Sequence, residues 1–394
     1  MKELNIFCFA ATGNGISGGD RIFIELARRI GKSQKVVLHL AHDGHEMCKR
    51  QNLDEKFIEY KVSDLHKYEN LGFFLYYIVK IIFSVFYAFK LDVVNSKSFV
   101  FYSASEFLMD ALPAFVIKFK KSKIRWVAAW YQTAPPPWKG FSEDTKARYR
   151  LRSLPYWLSQ LAIKPLISKY SNSICMNNKI ESKHFPKYSL KKIFIMHGAV
   201  DLDKIEAYKK KHVRNKKVYD AVFQGRFHPQ KGIVELIDVW SEVVDKMPSA
   251  KLAMIGDGPL MADVRDQIDK YKLSKNIKLF GYVFDGSKKY KIFSQSKLVV
   301  HSSLYDSGGM ASAEAMAFGL GAVGYDLESY KDYYVKGMIK VKVGDKAAFS
   351  SAILKLLKNR KMSNKLADDA QKDIYDNWSW DVRAKDFINF INTN

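Results

Sequence analysis

Short apolar runs alternate with helix-like stretches along almost the whole chain, and the alternation restarts once. The runs LNIFCFA, KVVLHLA, SFVFYSA, IRWVAAW, NSICMN and KIFIMH come first, with a helix expected from Gly19 to Ile30. After the lysine-rich stretch YKKKHVRNKK follow YDAVFQG, a helix from Gly232 to Met247, AKLAMIG, IKLFGY, KLVVHSS and GAVGYD. Short apolar strands separated by helices require parallel sheets covered on both faces. The expected class is therefore α/β, with two facing, doubly wound, Rossmann-like domains. These are residues 1–208 and 218–376, joined by a linker over 209–217. A C-terminal helix over 377–394 either closes the second domain or packs back on the first. Ligands of such sheets sit at the carboxyl ends of the strands.

A chain of 394 residues with 47% hydrophobic and 27% charged residues is globular and long enough for two cores. Cys8, Cys48 and Cys175 lie far apart without metal-ligand spacing, which points to buried thiols in a reducing compartment. The start MKELNIFCFA runs straight into the first strand without a signal-peptide layout, so a cytoplasmic protein is expected. Net charge is +23, and residues 101–200 hold 17 Lys and Arg against 5 Asp and Glu. This surplus lies in KFKKSKIRW, KARYRLR and KHFPKYSLKK. It suits an anionic membrane surface or a solvated face; nucleic acid is not expected, because no recognition motif accompanies it. The segment Leu71 to Phe89 is strongly apolar but short and carries Lys80, which would cost about 2.5–3.5 kcal/mol at a bilayer centre. On a helical wheel Tyr76, Tyr77, Lys80, Ser84 and Tyr87 form one narrow polar stripe. The rest of the helix must be covered by protein or by lipid.

The chemistry concentrates in HSSLYDSGGMASAEAMAFGLGAVGYD. A strand runs into a turn with Asp306 and two glycines, and an Ala-rich helix follows. The N–H groups of Gly308, Gly309 and Met310 and the positive helix end then converge where a phosphate would bind. Glu314, two turns further on, reaches a second part of the same ligand. In VFQGRFHPQKG, Arg226 and Lys231 offer a guanidinium fork and an ammonium that together neutralise a diphosphate without metal.

With these segments the chain resembles the family-4 glycosyltransferases of GT-B fold, which transfer sugars from nucleotide-sugar donors with retention. The resemblance is carried in order by SGGDRIFIELARRI, FIMHGAVDLDKI, GRFHPQKG and DSGGMASAEAMAFG, the last similar to the family's E-x7-E signature. It implies that Asp306 binds hydroxyls of the donor sugar, that Glu314 accepts from the ribose, and that Arg226 and Lys231 hold the departing diphosphate as catalytic groups. Gly18 and Gly19 would let the backbone of the first domain approach the phosphates or the sugar, and backbone near Tyr282 and Val283 would contact the base. A UDP- or GDP-sugar is then the donor, with no permanently bound cofactor and no metal. Two departures stand out: Asp306 replaces the usual Glu, and Tyr131 and Gln132 stand on the acceptor side where many members have a histidine. Charge and the apolar segment together suggest a lipid-linked or glycan acceptor and a peripheral protein on the inner face of the cell membrane.

Gly13, Gly15 and Gly18 also spell G-x-G-x-x-G, with Asp43 as a possible ribose ligand, so an NAD-dependent oxidoreductase is the alternative. A nonenzymatic basic binding protein would account for the charge only. Asp201 and Asp203 spell the D-x-D of metal-dependent sugar transferases, but within the resembling HGAVDLDKI, where metal binding is not expected.

Overall fold

The computed structural model describes residues 1–13, 15–139, 154–186, 188–212 and 216–393; the basic segment KARYRLR and part of the expected linker lie outside them. The chain divides into two compact units, residues 1–138, 154–198 and 380–393 on one side and 199–379 on the other.

The first unit runs β1 (Glu3–Phe7), α1 (Gly18–Ile30), β2 (Lys35–Ala41), α2 (His42–Arg50), β3 (Ile58–Ser63), α3 (Phe73–Lys90), β4 (Phe99–Ser103), α4 (Leu108–Lys120), β5 (Arg125–Trp130), α5 (Leu154–Tyr170), β6 (Ser173–Met176) and β7 (Ile193–Ile195). Its seven parallel strands are ordered β3-β2-β1-β4-β5-β6-β7. The order reverses between β1 and β4, so right-handed crossovers put α1 and α2 on one face and α3, α4 and α5 on the other. Helix α1 begins with a capping box: the Ser17 hydroxyl accepts from Asp20 N at 3.2 Å and the Asp20 carboxylate accepts from Ser17 N at 2.9 Å. Gly18 is thus the first residue of the helix, and the stretch from Cys8 to Ser17 intervenes after β1. A dinucleotide fingerprint needs its first glycine in a tight turn directly off the strand. Gly13 stands well beyond Phe7.

Helix α3 packs with its polar stripe inward. Lys80, only 2% exposed, binds Asp43 at 2.7 Å, and the Ser84 hydroxyl donates to Ile81 O. The Tyr87 hydroxyl meets His39 Nδ1 at 2.7 Å while Nε2 faces Asn5 Oδ1 at 2.9 Å. Burial lowers the His39 pKa to about 3, so a neutral imidazole joins the helix to β1 and β2. The apolar side of α3 faces away from the sheet.

The second unit runs α6 (Leu202–Lys211), β8 (Tyr219–Gln224), α7 (Ile233–Lys246), β9 (Leu252–Ile255), α8 (Met261–Lys270), β10 (Ile277–Leu279), α9 (Ser287–Ser294), β11 (Ser296–His301), α10 (Met310–Ala317), β12 (Gly321–Tyr325), α11 (Tyr330–Tyr333), β13 (Met338–Val341), α12 (Lys346–Lys358) and α13 (Arg360–Asn377). Its parallel sheet is ordered β10-β9-β8-β11-β12-β13. The sequence reading put the end of the first domain at residue 208, whereas α6 belongs here. Tyr208 packs on Tyr290 and Phe318, and Ile205 is fully buried in the same core. The last helix, α14 (Trp380–Thr393), belongs to the first unit, with Phe387 against Tyr102 and Phe194 and Asp381 paired to Arg29 at 3.4 Å.

Candidate active site

In the second unit the strand order reverses between β8 and β11, so the loops leaving their carboxyl ends border the crevice where doubly wound sheets bind ligands. The loop after β8 carries Arg226 and Lys231; the loop after β11 carries Asp306, Gly308 and Gly309. The loops touch. Leu304 N donates to Gln230 O at 2.8 Å, the Ser302 hydroxyl donates to Lys231 O at 2.9 Å, and Gly232, at φ +57°, lies where a Cβ would come within 2.2 Å of Ser302 O. Only glycine allows that approach.

Asp306 is the hub. Its Oδ2 pairs with Lys231, accepts from the Tyr330 hydroxyl at 2.9 Å, and lies 3.3 Å from both His301 Nε2 and the Ser303 hydroxyl. Its Oδ1 accepts from the N–H groups of Ser307, Gly308 and Gly309 at 2.8, 3.3 and 3.4 Å. Burial pushes this carboxyl up, but the Lys231 charge and the His301 contact outweigh it and hold the group well below the usual carboxylate range. His301 is also buried, which lowers its pKa despite Asp306; its Nδ1 meets the Ser312 hydroxyl at 2.6 Å. The sequence reading aimed the N–H groups of Gly308, Gly309 and Met310 at a ligand. Two of them instead reach Asp306, whose shorter side chain keeps its carboxylate inside the turn. Arg226 is exposed in the same loop as Lys231 and has no side-chain partner among the described residues.

Glu314, on α10, has its Oε2 2.6 Å from Lys289 Nζ and 3.5 Å from Gln224 Nε2. Lys289 is fully buried and also pairs with Asp285. The loop with exposed Tyr282 and buried Val283 is thereby tied through Asp285 and Lys289 to the helix that presents Glu314. The second unit thus gathers Lys231, Asp306, Gly308, Gly309 and Met310 at one helix end, with Glu314 further along the same helix.

In the first unit, a Cβ on Gly19 would lie 3.4 Å from the Tyr131 ring, so the start of α1 and the end of β5 meet. Tyr131 N donates to Glu106, and Gln132 O accepts from Tyr156 and Gln160 at 2.9 and 2.7 Å. The buried Gln132 Nε2 has no hydrogen-bond partner among the described residues. Asp43, the ribose ligand of the oxidoreductase alternative, is taken by Lys80. Asp201 caps α6, accepting from Lys204 N at 3.2 Å and pairing with Lys204 Nζ at 2.9 Å. Among the described residues, no group of three or more His, Cys, Asp or Glu side chains is placed to hold a metal ion.

Sequence reasoning missed His301, Tyr330, Lys289 and Glu106. A signal existed for Lys289, four residues after Asp285 at ion-pair spacing. Tyr330 and Glu106 reach their partners from distant segments, whereas His301 stands five residues before Asp306 at the end of β11.

Residues 204–373 match the family model described as Glycosyl transferases group 1. An uncharacterized glycosyltransferase of Methanocaldococcus jannaschii is 28% identical over 173 residues, covering 43% of this chain and 43% of that protein. The phosphatidyl-myo-inositol mannosyltransferase of Mycobacterium tuberculosis is 24% identical over 252 residues, covering 61% of this chain and 65% of its own. Each match spans less than two thirds of the relative's length. The crystal structure of HepE from Anabaena in complex with UDP-glucose superposes over 100% of both chains with a TM-score of 0.70 at 13% identity. Two doubly wound parallel sheets with this connectivity are the GT-B fold. The stretch that matches the group 1 glycosyl transferase model lies within the second unit.

Proposed function

We propose that the protein is a retaining, metal-independent hexosyltransferase, moving a sugar from a UDP- or GDP-sugar to a lipid-linked or glycan acceptor. The product belongs to a cell-surface glycan or glycolipid, and the enzyme works as a peripheral protein on the cytoplasmic face of an anionic membrane. The observation that carries the reading is the Lys231–Asp306 pair at the start of α10, beside the strand-order reversal. HepE was crystallised with UDP-glucose, which supports a nucleotide-sugar donor here.

In this reading the ammonium of Lys231 passes from Asp306 to the diphosphate, and the exposed Arg226 closes on the same group. The freed Asp306 Oδ2, still held by Tyr330 and Ser303, accepts a hydroxyl of the donor sugar and orients its anomeric carbon. Glu314, fixed by Lys289, accepts from the ribose. Backbone at Tyr282 and Val283 borders the base, and Tyr131 and Gln132 serve the acceptor side. The bond from the anomeric carbon to the phosphate oxygen breaks while the acceptor oxygen bonds to that carbon on the same face. The acceptor proton goes to the departing phosphate oxygen. Lys231 and Arg226 act as catalysts because the charge they meet grows toward the transition state.

Assaying UDP- and GDP-sugars with a lipid-linked acceptor in EDTA tests this, with nucleoside diphosphate release followed by chromatography and the product anomer assigned by NMR. Transfer in EDTA with the donor's anomeric configuration is expected. A strict magnesium requirement would return attention to Asp201 and Asp203, and an inverted product would exclude the front-face route.

A further inference from the structure

Much of the apolar face of α3 is uncovered among the described residues. Phe74, Leu75, Ile78, Ile82, Phe86 and Phe89 are between 36 and 63% exposed. At about 3.6 residues per turn they fall within an arc of about 120°. Tyr76, Lys80, Ser84 and Ala88 occupy the opposite arc and are buried. The helix is held with this face outward by the Lys80–Asp43 ion pair, the Tyr87–His39 contact and the packing of Val79, Ile81, Phe83 and Val85 on the core.

Its neighbours continue the pattern. Helix α4 lies between α3 and α5, and all three share one face of the sheet. The outer side of this layer adds Phe119, 70% exposed, at the end of α4, and Leu158 and Leu161 on α5. The only carboxylate on the three helices is Asp110, which is buried, whereas Lys90, Lys120 and Lys169 are exposed among the apolar side chains. Lys120 Nζ lies 5.9 Å from the centre of the Phe89 ring, placing cation and apolar anchor side by side. No helix among the described residues is long and apolar enough to cross a membrane. A soluble monomer rarely keeps a contiguous apolar patch of this kind uncovered.

We infer that the outer surface of α3, α4 and α5 is a docking face for an anionic lipid bilayer, with Phe74, Phe86 and Phe89 entering the acyl boundary and Lys90 and Lys120 meeting headgroup phosphates. Bulky apolar side chains ringed by lysines match such an interface in both its apolar and its charged layer. A second copy of the chain is a poorer occupant, because it would bring the same lysines and no exposed carboxylate from these helices. The inference deepens the membrane part of the proposed function by naming the surface, but it rests on the first unit alone. Vesicle binding needs no donor sugar, so its failure would leave nucleotide binding untouched, and the reverse holds as well.

The test is co-sedimentation of the full chain with phosphatidylcholine vesicles, with and without phosphatidylglycerol. Binding to the phosphatidylglycerol vesicles that weakens with salt is expected. Phe74→Ser with Phe86→Ser should reduce the partition coefficient by about tenfold or more, and Lys90→Glu with Lys120→Glu should remove the preference for anionic vesicles. These side chains are exposed, so the variants keep their fold; Val335→Ser, at an exposed position in the second unit, should leave binding unchanged. Protein that stays in the supernatant at low salt overturns the proposal. So does a dimer in sedimentation velocity that Phe74→Ser with Phe86→Ser dissociates, which would make a second copy the occupant.

Discussion

Replacing Lys231 by Ala is expected to lower turnover by about a hundredfold, with most of the loss in kcat. A charge-assisted hydrogen bond contributes about 1.5–3 kcal/mol, and about 1.4 kcal/mol is a factor of ten in rate. The deletion acts a second time through Asp306. Without the Lys231 charge the first of the influences that offset burial is gone, and the carboxyl's affinity for protons rises. Lys231→Arg keeps a cation at the position and should recover part of the rate. Steady-state kinetics checks both variants, and an unchanged kcat/KM in Lys231→Ala would remove Lys231 from the reaction.

Lys289→Met is expected to destabilise the second unit strongly. The ammonium is fully buried between Asp285 and Glu314, whose side chains are 22% and 16% exposed. Breaking a buried ion pair costs about 3–5 kcal/mol, and the partial exposure of both carboxylates places this case near the lower end. For a unit of this size that is a fall in Tm of roughly 6–12 °C. Lys289 also aims Glu314, so the variant should lose affinity for nucleoside diphosphates while Asp306→Asn, which leaves Glu314 in place, keeps it. Scanning calorimetry and a nucleotide titration read the two effects separately. Full stability with full affinity would contradict the role assigned to Lys289.

Much of the fold was legible because parallel strands buried on both faces must be apolar runs, as KVVLHLA and KLVVHSS are. The exceptions have a common cause. The strands IEYKVS and MIKV, not anticipated from sequence, are β3 and β13, the outer edges of their sheets, where a half-covered strand needs no continuous apolar run. For α3 the wheel gave the polar stripe but not its direction. The partners that turn it inward, Asp43 and His39, lie 37 and 48 residues away from Lys80 and Tyr87 in sequence. In the site, the turn after β11 revealed Asp306 and the helix that follows revealed Glu314, and the loop after β8 revealed Lys231. Of the groups that hold them, His301 and Tyr330 look like core in the sequence, and Lys289 in SKKYK looks like solvated surface unless its spacing from Asp285 is read.

The claim that the crevice beside β8 and β11 binds the diphosphate of a nucleotide sugar is tested most directly by titration calorimetry of UDP and GDP in EDTA, on the native chain and on Lys231→Ala and Glu314→Ala. The account predicts saturable, one-to-one binding of one of the two nucleotides without metal, weakened about tenfold or more in either variant by loss of a charge-assisted contact. Binding that is absent for both nucleotides in EDTA, or equally tight in all three proteins, would contradict it.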